Sequence, residues 1–176
     1  AYSKFGKHII TTKIEHPAVL EPFKILENEG FEVSYLNVYE NGAIDPEDLK
    51  GMLRDDTILV SVMLVNNETG VIQPVDKLKP IMKEYSPKAL LHTDAVQGFG
   101  KIKFDPIRAG VDLMSVSGHK VHSVRGVGAL YAGKKIHPYI VGGGQQDGMR
   151  SGTENTEGIL AFAGAAEDID PVKTME

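Results

Sequence analysis

A lysine and an aspartate that each follow an apolar run carry the clearest chemical signal in the sequence. Asp94 and Lys120 stand 26 residues apart, about one strand–helix–strand unit, so a parallel sheet would bring them to neighbouring strand ends. A lysine amine is a nucleophile once it has lost its proton. A carboxylate can keep the ring nitrogen of an aromatic cofactor protonated. The pair therefore predicts covalent chemistry on a pyridine ring.

Polar residues also follow the other predicted strands and supply the remaining donors that such a ring needs. Three of them follow separate apolar runs, namely His16, Asn67 and Gln97. Ser117 and His119 bracket a glycine directly before Lys120, a placement suited to an anion such as phosphate. These residues complete a donor set for a phosphorylated pyridine cofactor.

Each of these residues also has a plainer interpretation. Asp94 alone would be a turn or helix cap, and Asn67 near Gly70 would form part of a tight turn. His16 could be a satisfied histidine at the start of a helix, and Lys120 one more solvated lysine. Their occurrence together at one predicted sheet edge favours the catalytic interpretation.

The elements that must position these residues alternate between apolar strands and helical patterns. Strands are predicted at residues 8–14, 31–38, 57–65, 88–93, 112–116 and 127–131. Helices are predicted at residues 17–29, 75–85 and 155–169, with a short one from Pro46 capped by Asp45. This alternation predicts a three-layer α/β fold with a mostly parallel sheet. The connection at 117–126 is too short for a parallel crossover, so the last strand is predicted to be antiparallel.

Composition excludes several classes of protein. The 176 residues, 41% hydrophobic and 24% charged, suffice for one globular domain. A net charge of −5 without a basic run argues against nucleic-acid binding, and no apolar run approaches the roughly 20 residues of a membrane span. The absence of cysteine removes disulfides, thiolate metal sites and a nucleophilic thiol, and no metal is predicted. The lack of a secretory signal predicts a cytoplasmic protein.

Five motifs run in order along nearly the whole chain. They are KIEH at 13–16, MLVNNETG at 63–70, HTDAVQ at 92–97, SGHK at 117–120 continued by RGVGALY at 125–131, and GMRSGTEN at 148–155. Each alone is a weak match, but their order resembles that of the cysteine desulfurases. These are fold-type I pyridoxal-phosphate enzymes of the class V aminotransferase group, and the resemblance implies the large-domain fold of that group.

The resemblance implies pyridoxal 5′-phosphate as cofactor and assigns three residues to the chemistry at its ring. Lys120 matches the lysine that forms a Schiff base with the cofactor and later transfers protons. Asp94 matches the partner of the ring nitrogen. His16 matches an imidazole that stacks on the ring and can move protons.

The remaining matched residues are implied to hold the edges of the cofactor. Gln97 and Asn67 resemble donors on the side of its phenolic oxygen. Ser117 and His119 resemble phosphate ligands. Thr153 matches a residue that reaches the phosphate of the other subunit, which implies a homodimer.

The sequence also departs from the family pattern. VHSVRG at 121–126 lacks the usual Gly-Pro pair, and Gln146 and Asp147 replace an acidic and a basic residue. Residues 1–176 are expected to be a partial cofactor-binding large domain. The N-terminal segment with its phosphate loop is expected to be absent, as is the C-terminal small domain with its sulfur-accepting cysteine. This chain alone is therefore expected to be inactive and to self-associate.

The implied function of the parent protein is a transferase activity that removes sulfur from L-cysteine, giving alanine and an enzyme persulfide. That activity would serve sulfur metabolism and iron–sulfur cluster assembly, with a sulfur-acceptor protein as partner. Two alternatives stay open. One is a selenocysteine lyase or another class V enzyme, and the other is a truncated, non-catalytic binding module.

Overall fold

A computed structural model describes residues 2–169, which form a six-stranded sheet flanked by helices. The strands are β1 (His8–Thr12), β2 (Glu32–Leu36), β3 (Thr57–Ser61), β4 (Leu90–Asp94), β5 (Leu113–Ser117) and β6 (Gly128–Ala132). The α-helices are α1 (Pro17–Asn28), α2 (Leu78–Tyr85) and α3 (Thr156–Glu167). Shorter 3₁₀ turns occur at Tyr2–Lys4, Pro46–Leu49, Val75–Lys77 and Gly118–Lys120. Within residues 2–169, no helix has the length and apolar character needed to cross a bilayer.

The strand order is β2-β1-β3-β4-β5-β6, and every neighbouring pair except the last is parallel. β6 pairs antiparallel with β5, from Leu113 opposite Ala132 to Ser117 opposite Gly128. This confirms the predicted α/β fold with one antiparallel strand. Because β1, β3, β4 and β5 are consecutive and parallel, their carboxyl ends line one edge of the sheet.

The apolar run at 57–65 does not form one strand along its whole length. β3 ends at Ser61, although the next three residues remain buried. Their backbone still bonds to β4. The Val62 N–H donates to the His92 backbone carbonyl, and the Leu64 N–H donates to the Asp94 backbone carbonyl. Val65 then forms an isolated antiparallel bridge with Ile72. The apolar run therefore marks burial, and it overestimates the length of the strand.

The core has two parts, one on each face of the sheet, because side chains alternate along each strand. Ile9 packs with Phe23 of α1 and with Ile58. Ile10, the next residue, packs in the larger cluster that contains Leu78 and other residues of α2. Both isoleucines are essentially inaccessible to solvent. The two clusters fix α1 and α2 on opposite faces of the sheet.

A buried ion pair ties α2 to the sheet. Lys79 Nζ lies 2.5 Å from Asp112 Oδ2, and the two side chains are 13% and 6% exposed. The same carboxylate oxygen accepts the Leu91 backbone N–H at 2.8 Å. Asp112 thereby joins α2, β4 and the start of β5. These contacts help to fix the position of β5 along its neighbour β4.

Candidate active site

Asp94 is the last residue of β4, and one of its two carboxylate oxygens takes part in the turn that follows. Its Oδ1 accepts the Val96 backbone N–H at 2.9 Å, and the residue is buried. Within residues 2–169, Oδ2 has no hydrogen-bond partner. The turn interpretation and the ligand interpretation are therefore compatible, because one oxygen stabilises the turn and the other remains able to bind a ligand.

Lys120 ends the 3₁₀ turn that follows β5 and is exposed. In the part of the chain that the structure describes, its ammonium makes no ion pair. The side chain lines a cleft of about 370 Å³ together with Lys101, and Ala161 and Ala165 of α3 also line it. That volume is within the range of small-molecule sites.

A second lysine at this cleft was missed by the sequence analysis. Lys101 Nζ donates to Gln97 Oε1 at 2.9 Å. Burial lowers the pKa of Lys101, and the nearby charge of Lys120 lowers it further. An ammonium group can only donate, so it must face the amide oxygen of Gln97, and the amide N–H₂ is left available to a ligand. The four-residue spacing of the pair is the signal that could have revealed it.

Ser117 and His119 meet each other at the end of β5. Ser117 Oγ and His119 Nδ1 are 2.8 Å apart. The glycine between them is required by close packing, because a Cβ at Gly118 would lie 2.9 Å from a methyl group of Val127. The tight turn therefore brings the two predicted phosphate ligands side by side.

His16 caps the N-terminus of α1. Its Nδ1 accepts the Ala18 backbone N–H at 3.1 Å, and the ring is exposed. Because Nδ1 is the acceptor, the neutral ring carries its proton on Nε2. The plainer interpretation as a residue at the start of a helix is thus correct, and the N–H at Nε2 remains free to meet a ligand.

The two adjacent asparagines after β3 have different surroundings. Asn66 is buried and builds the turn, since its Oδ1 accepts the N–H groups of Glu68 and Thr69. Its Nδ2 also donates to the Ile14 carbonyl at 3.0 Å. Asn67 is exposed, and its amide makes no hydrogen bond within residues 2–169. The turn is therefore built by Asn66, which leaves Asn67 available.

Glu15, directly before His16, is a buried acid that the sequence analysis did not select. Its Oε1 accepts the Met63 backbone N–H at 2.7 Å and the Thr12 hydroxyl at 3.1 Å. The pKa of Glu15 is raised to about 7, chiefly by burial and also by the charge of Asp94, although these two hydrogen bonds act to lower it. An acid that follows a strand gives no sequence signal of its own, because its partner at residue 63 is distant in the chain.

The candidates do not all share one cleft. Asn67 and Glu15 line a second cleft of about 220 Å³, whereas Lys120 lines the larger one. Thr153 is exposed in the segment before α3, and its side chain makes no hydrogen bond within residues 2–169. Residues 2–169 contain no group of three His, Asp or Glu side chains able to hold a metal ion.

Comparisons with known proteins agree on one family. Residues 1–173 match the aminotransferase class-V family. A cysteine desulfurase IscS from Dictyoglomus turgidum is 53% identical over 169 residues, covering 95% of this chain and 42% of that protein. A cysteine desulfurase IscS from Ehrlichia chaffeensis is 49% identical over 180 residues, covering 99% of this chain and 43% of the relative.

Solved structures give the same result. A NifS-like protein superimposes with a TM-score of 0.91 at 46% identity, over 94% of this chain and 46% of the other. The structure of SspA in complex with cysteine superimposes with a TM-score of 0.88 at 37% identity, over 93% of this chain and 48% of the other. The chain spans less than half the length of these relatives.

Proposed function

The chain belongs to the aminotransferase class-V family, a family of pyridoxal-phosphate enzymes, and we propose that it is the cofactor-binding part of a cysteine desulfurase. One observation carries the proposal. Asp94 ends β4 and Lys120 follows the adjacent parallel strand β5, and each keeps a polar atom without a partner in residues 2–169. An amine and a carboxylate in that relation suit the two ends of a pyridine ring.

The donor set fits pyridoxal 5′-phosphate. Lys120 would hold the cofactor covalently, and the unpartnered Oδ2 of Asp94 would bind the ring N–H. The free amides of Gln97 and Asn67 would donate on the side of the phenolic oxygen. The phosphate would be bound by Ser117 and His119, whose side chains already meet at 2.8 Å.

When bound, the cofactor supplies an electron sink for charge that develops at the substrate α-carbon. The residues of this chain supply the proton transfers. Lys120 is the proton acceptor in this proposal, since its amine is exposed in the larger cleft. His16 acts as a donor, because its Nδ1 accepts the Ala18 N–H and its Nε2 therefore carries the proton.

The proposed substrate is L-cysteine. Relatives about half identical to this chain are named cysteine desulfurases, and one similar structure contains cysteine. The 176 residues contain no cysteine, so the attacking thiolate must come from elsewhere. That thiolate forms an S–S bond as the substrate C–S bond breaks, and the carbon skeleton leaves as alanine after gaining a proton.

The product persulfide implies a sulfur-acceptor protein and a role in iron–sulfur cluster assembly. Persulfide chemistry needs a reduced thiol, and the cytoplasm keeps thiols reduced, so we propose a cytoplasmic location. The acceptor is therefore expected to present a free thiol or a cluster-binding site. Transfer of radiolabelled sulfur from the persulfide-carrying enzyme to a second protein would identify the acceptor.

We further propose that residues 1–176 form part of a larger cofactor domain that works as a homodimer. Several apolar side chains late in the chain are exposed, among them Tyr139 at 99% and Leu160 at 73%. Where such side chains lie together on the surface, they mark an interaction site. Thr153 lies between these two residues in the sequence and would contact the phosphate bound by the partner subunit.

The test is an absorbance titration of the natural protein with pyridoxal phosphate. A near-ultraviolet to visible band is expected for the wild type and for Lys134→Ala, a change of an exposed lysine outside both clefts. The band is expected to be lost in Lys120→Ala. Persistence of the same band in Lys120→Ala would contradict the proposal. Addition of L-cysteine to the loaded wild type is expected to release alanine.

A further inference from the structure

The carboxyl group of Glu15 links the ends of two neighbouring strands. Glu15 follows β1, and its Oε1 accepts the N–H of Met63, two residues beyond β3. The bond is short, at 2.7 Å, and Thr12 donates its hydroxyl to the same oxygen. The residue is 4% exposed, so these bonds are shielded from solvent. They hold together two segments that lie 48 residues apart.

A second link lies beside the first. Asn66 donates from Nδ2 to the Ile14 carbonyl at 3.0 Å, again joining the segment after β3 to the segment after β1. Each linking residue directly precedes a predicted cofactor contact, since Glu15 precedes His16 and Asn66 precedes Asn67. The separation of His16 and Asn67 is therefore set by bonds that their own neighbours make.

The other oxygen of Glu15 is left without a partner. Oε2 is fully buried and makes no hydrogen bond within residues 2–169. A buried ionised carboxylate with one bare oxygen is costly, whereas a neutral acid avoids the burial of a charge. The burial of Glu15 and the bare Oε2 thus favour the neutral acid, and Oε1 can still accept both hydrogen bonds as its carbonyl oxygen.

We propose that Glu15 is a positioning residue that acts as a neutral carboxylic acid, holding the end of β1 against the end of β3 so that His16 and Asn67 are correctly placed for the cofactor. The inference rests on the proposed function. It adds a residue that does not touch the cofactor and acts through its neighbours in the chain.

The electrostatic surroundings of Glu15 agree with a protonated state. Its pKa is raised to about 7, chiefly by burial and to a smaller extent by the charge of Asp94 on β4, while the hydrogen bonds from Met63 and Thr12 act in the opposite direction. Lys13 and Glu68 line the same cleft from the segments after β1 and β3. His16, the next residue along the chain, is a further titratable group beside it in sequence. Glu15 is therefore neutral in mildly acidic solution and ionises as the pH rises through about 7.

The test measures the dissociation constant of pyridoxal phosphate in the natural full-length protein at several pH values from about 6 to 8.5. Glu15→Gln keeps a carbonyl oxygen and cannot ionise, and Glu15→Ala removes both links to Thr12 and Met63. Glu21→Gln, a change of an exposed acid on α1, is the control. Amide hydrogen exchange at Met63 is measured in the same four proteins without cofactor.

The wild type and the control are expected to lose affinity for pyridoxal phosphate as the pH rises through about 7. In Glu15→Gln, this loss of affinity around pH 7 is expected to be absent. Glu15→Ala is expected to bind about tenfold more weakly at pH 6, the fold-change that matches a lost buried hydrogen bond. Met63 is expected to exchange faster in Glu15→Ala and at the wild-type rate in Glu15→Gln at pH 6. Where Glu15→Ala fails to fold, the pH profile of Glu15→Gln decides.

Two failures are distinguishable. A wild type without a Lys120-dependent absorbance band overturns the proposed function and the inference with it. A wild type that has the band, while Glu15→Gln keeps the wild-type pH profile, overturns the inference alone.

Discussion

Along the strand order, the sheet has a buried side, formed by β1, β3 and β4, and a more exposed side, formed by β5 and β6. All five residues of β1 are buried, and four of the five in both β3 and β4 are buried. No residue of β5 or β6 is buried. Asp94 belongs to the buried side and Lys120 to the exposed side. The two candidate residues therefore lie on either side of the boundary, a buried carboxylate at the end of β4 and an exposed lysine after β5.

Polar side chains reinforce the buried side by bridging strands. His8 of β1 bonds Thr57 of β3 at 2.8 Å and Ser34 of β2 at 2.9 Å. His92 of β4 makes the corresponding contacts with Ser61 at 2.8 Å and with Ser115 of β5 at 3.0 Å. The second bridge crosses the boundary and links β5 to the buried side. Burial lowers the pKa of both histidines, which suits neutral rings that satisfy polar groups within the sheet.

The largest expected effect comes from the buried ion pair that joins α2 to the start of β5. Lys79→Met leaves the Asp112 carboxylate buried without its cation, and we expect a loss of about 4 kcal/mol in the free energy of unfolding. Lys24→Met removes an ion pair whose side chains are 58% and 60% exposed, so it should cost less than about 1 kcal/mol. Urea unfolding of the natural protein measures both. Equal losses would show that the two pairs are equally solvated.

A pair of leucines compares the two sides directly. Leu91 of β4 is fully buried, and Leu91→Ala should cost about 3 kcal/mol in unfolding free energy through lost packing and a cavity. Leu130 of β6 is 47% exposed, and Leu130→Ala should cost less than about 1 kcal/mol. The same unfolding measurement applies. A loss at Leu130 as large as at Leu91 would mean that another surface covers β6 in the natural protein.

A smaller effect concerns the pH dependence of stability. The folded state raises the pKa of Glu15 from 4.5 to about 7, so between these values the folded protein binds the extra proton. The contribution of Glu15 to stability is therefore complete below about pH 4.5 and is lost as the pH rises to about 7. Relative to Glu15→Gln, the wild type should lose about 2 kcal/mol between about pH 5.5 and 7.5. A constant difference between the two proteins would indicate an ordinary pKa at Glu15.

Much of the fold follows from sequence patterns because those patterns report local constraints. The antiparallel last strand was predicted from the length of the connection at 117–126, and β6 confirms it. The helix predicted at 75–85 begins as the 3₁₀ turn Val75–Lys77 before α2. The end of β3 was missed, because an apolar run continues wherever the chain stays buried, whether or not it remains a strand.

The residue types of the candidate site could be predicted from the sequence, whereas the residues that position them could not. The strand-end positions of Asp94 and Lys120 follow from topology. The links that Asn66 and Glu15 make between the ends of β1 and β3 join partners 52 and 48 residues away, so no local pattern identifies those links. Neighbouring polar residues look equivalent in a sequence, and only the folded backbone separates the residue that builds the turn from the one left free.

The most direct test asks which lysine holds the cofactor. Lys120 and Lys101 line the same cleft, but Lys101 is bonded to Gln97, whereas Lys120 has no such partner in residues 2–169. The loaded natural protein is reduced with borohydride, digested and analysed by peptide mass spectrometry. The account predicts that the phosphopyridoxyl mass is found on Lys120. The same label on Lys101, with Lys120 unmodified, would contradict it.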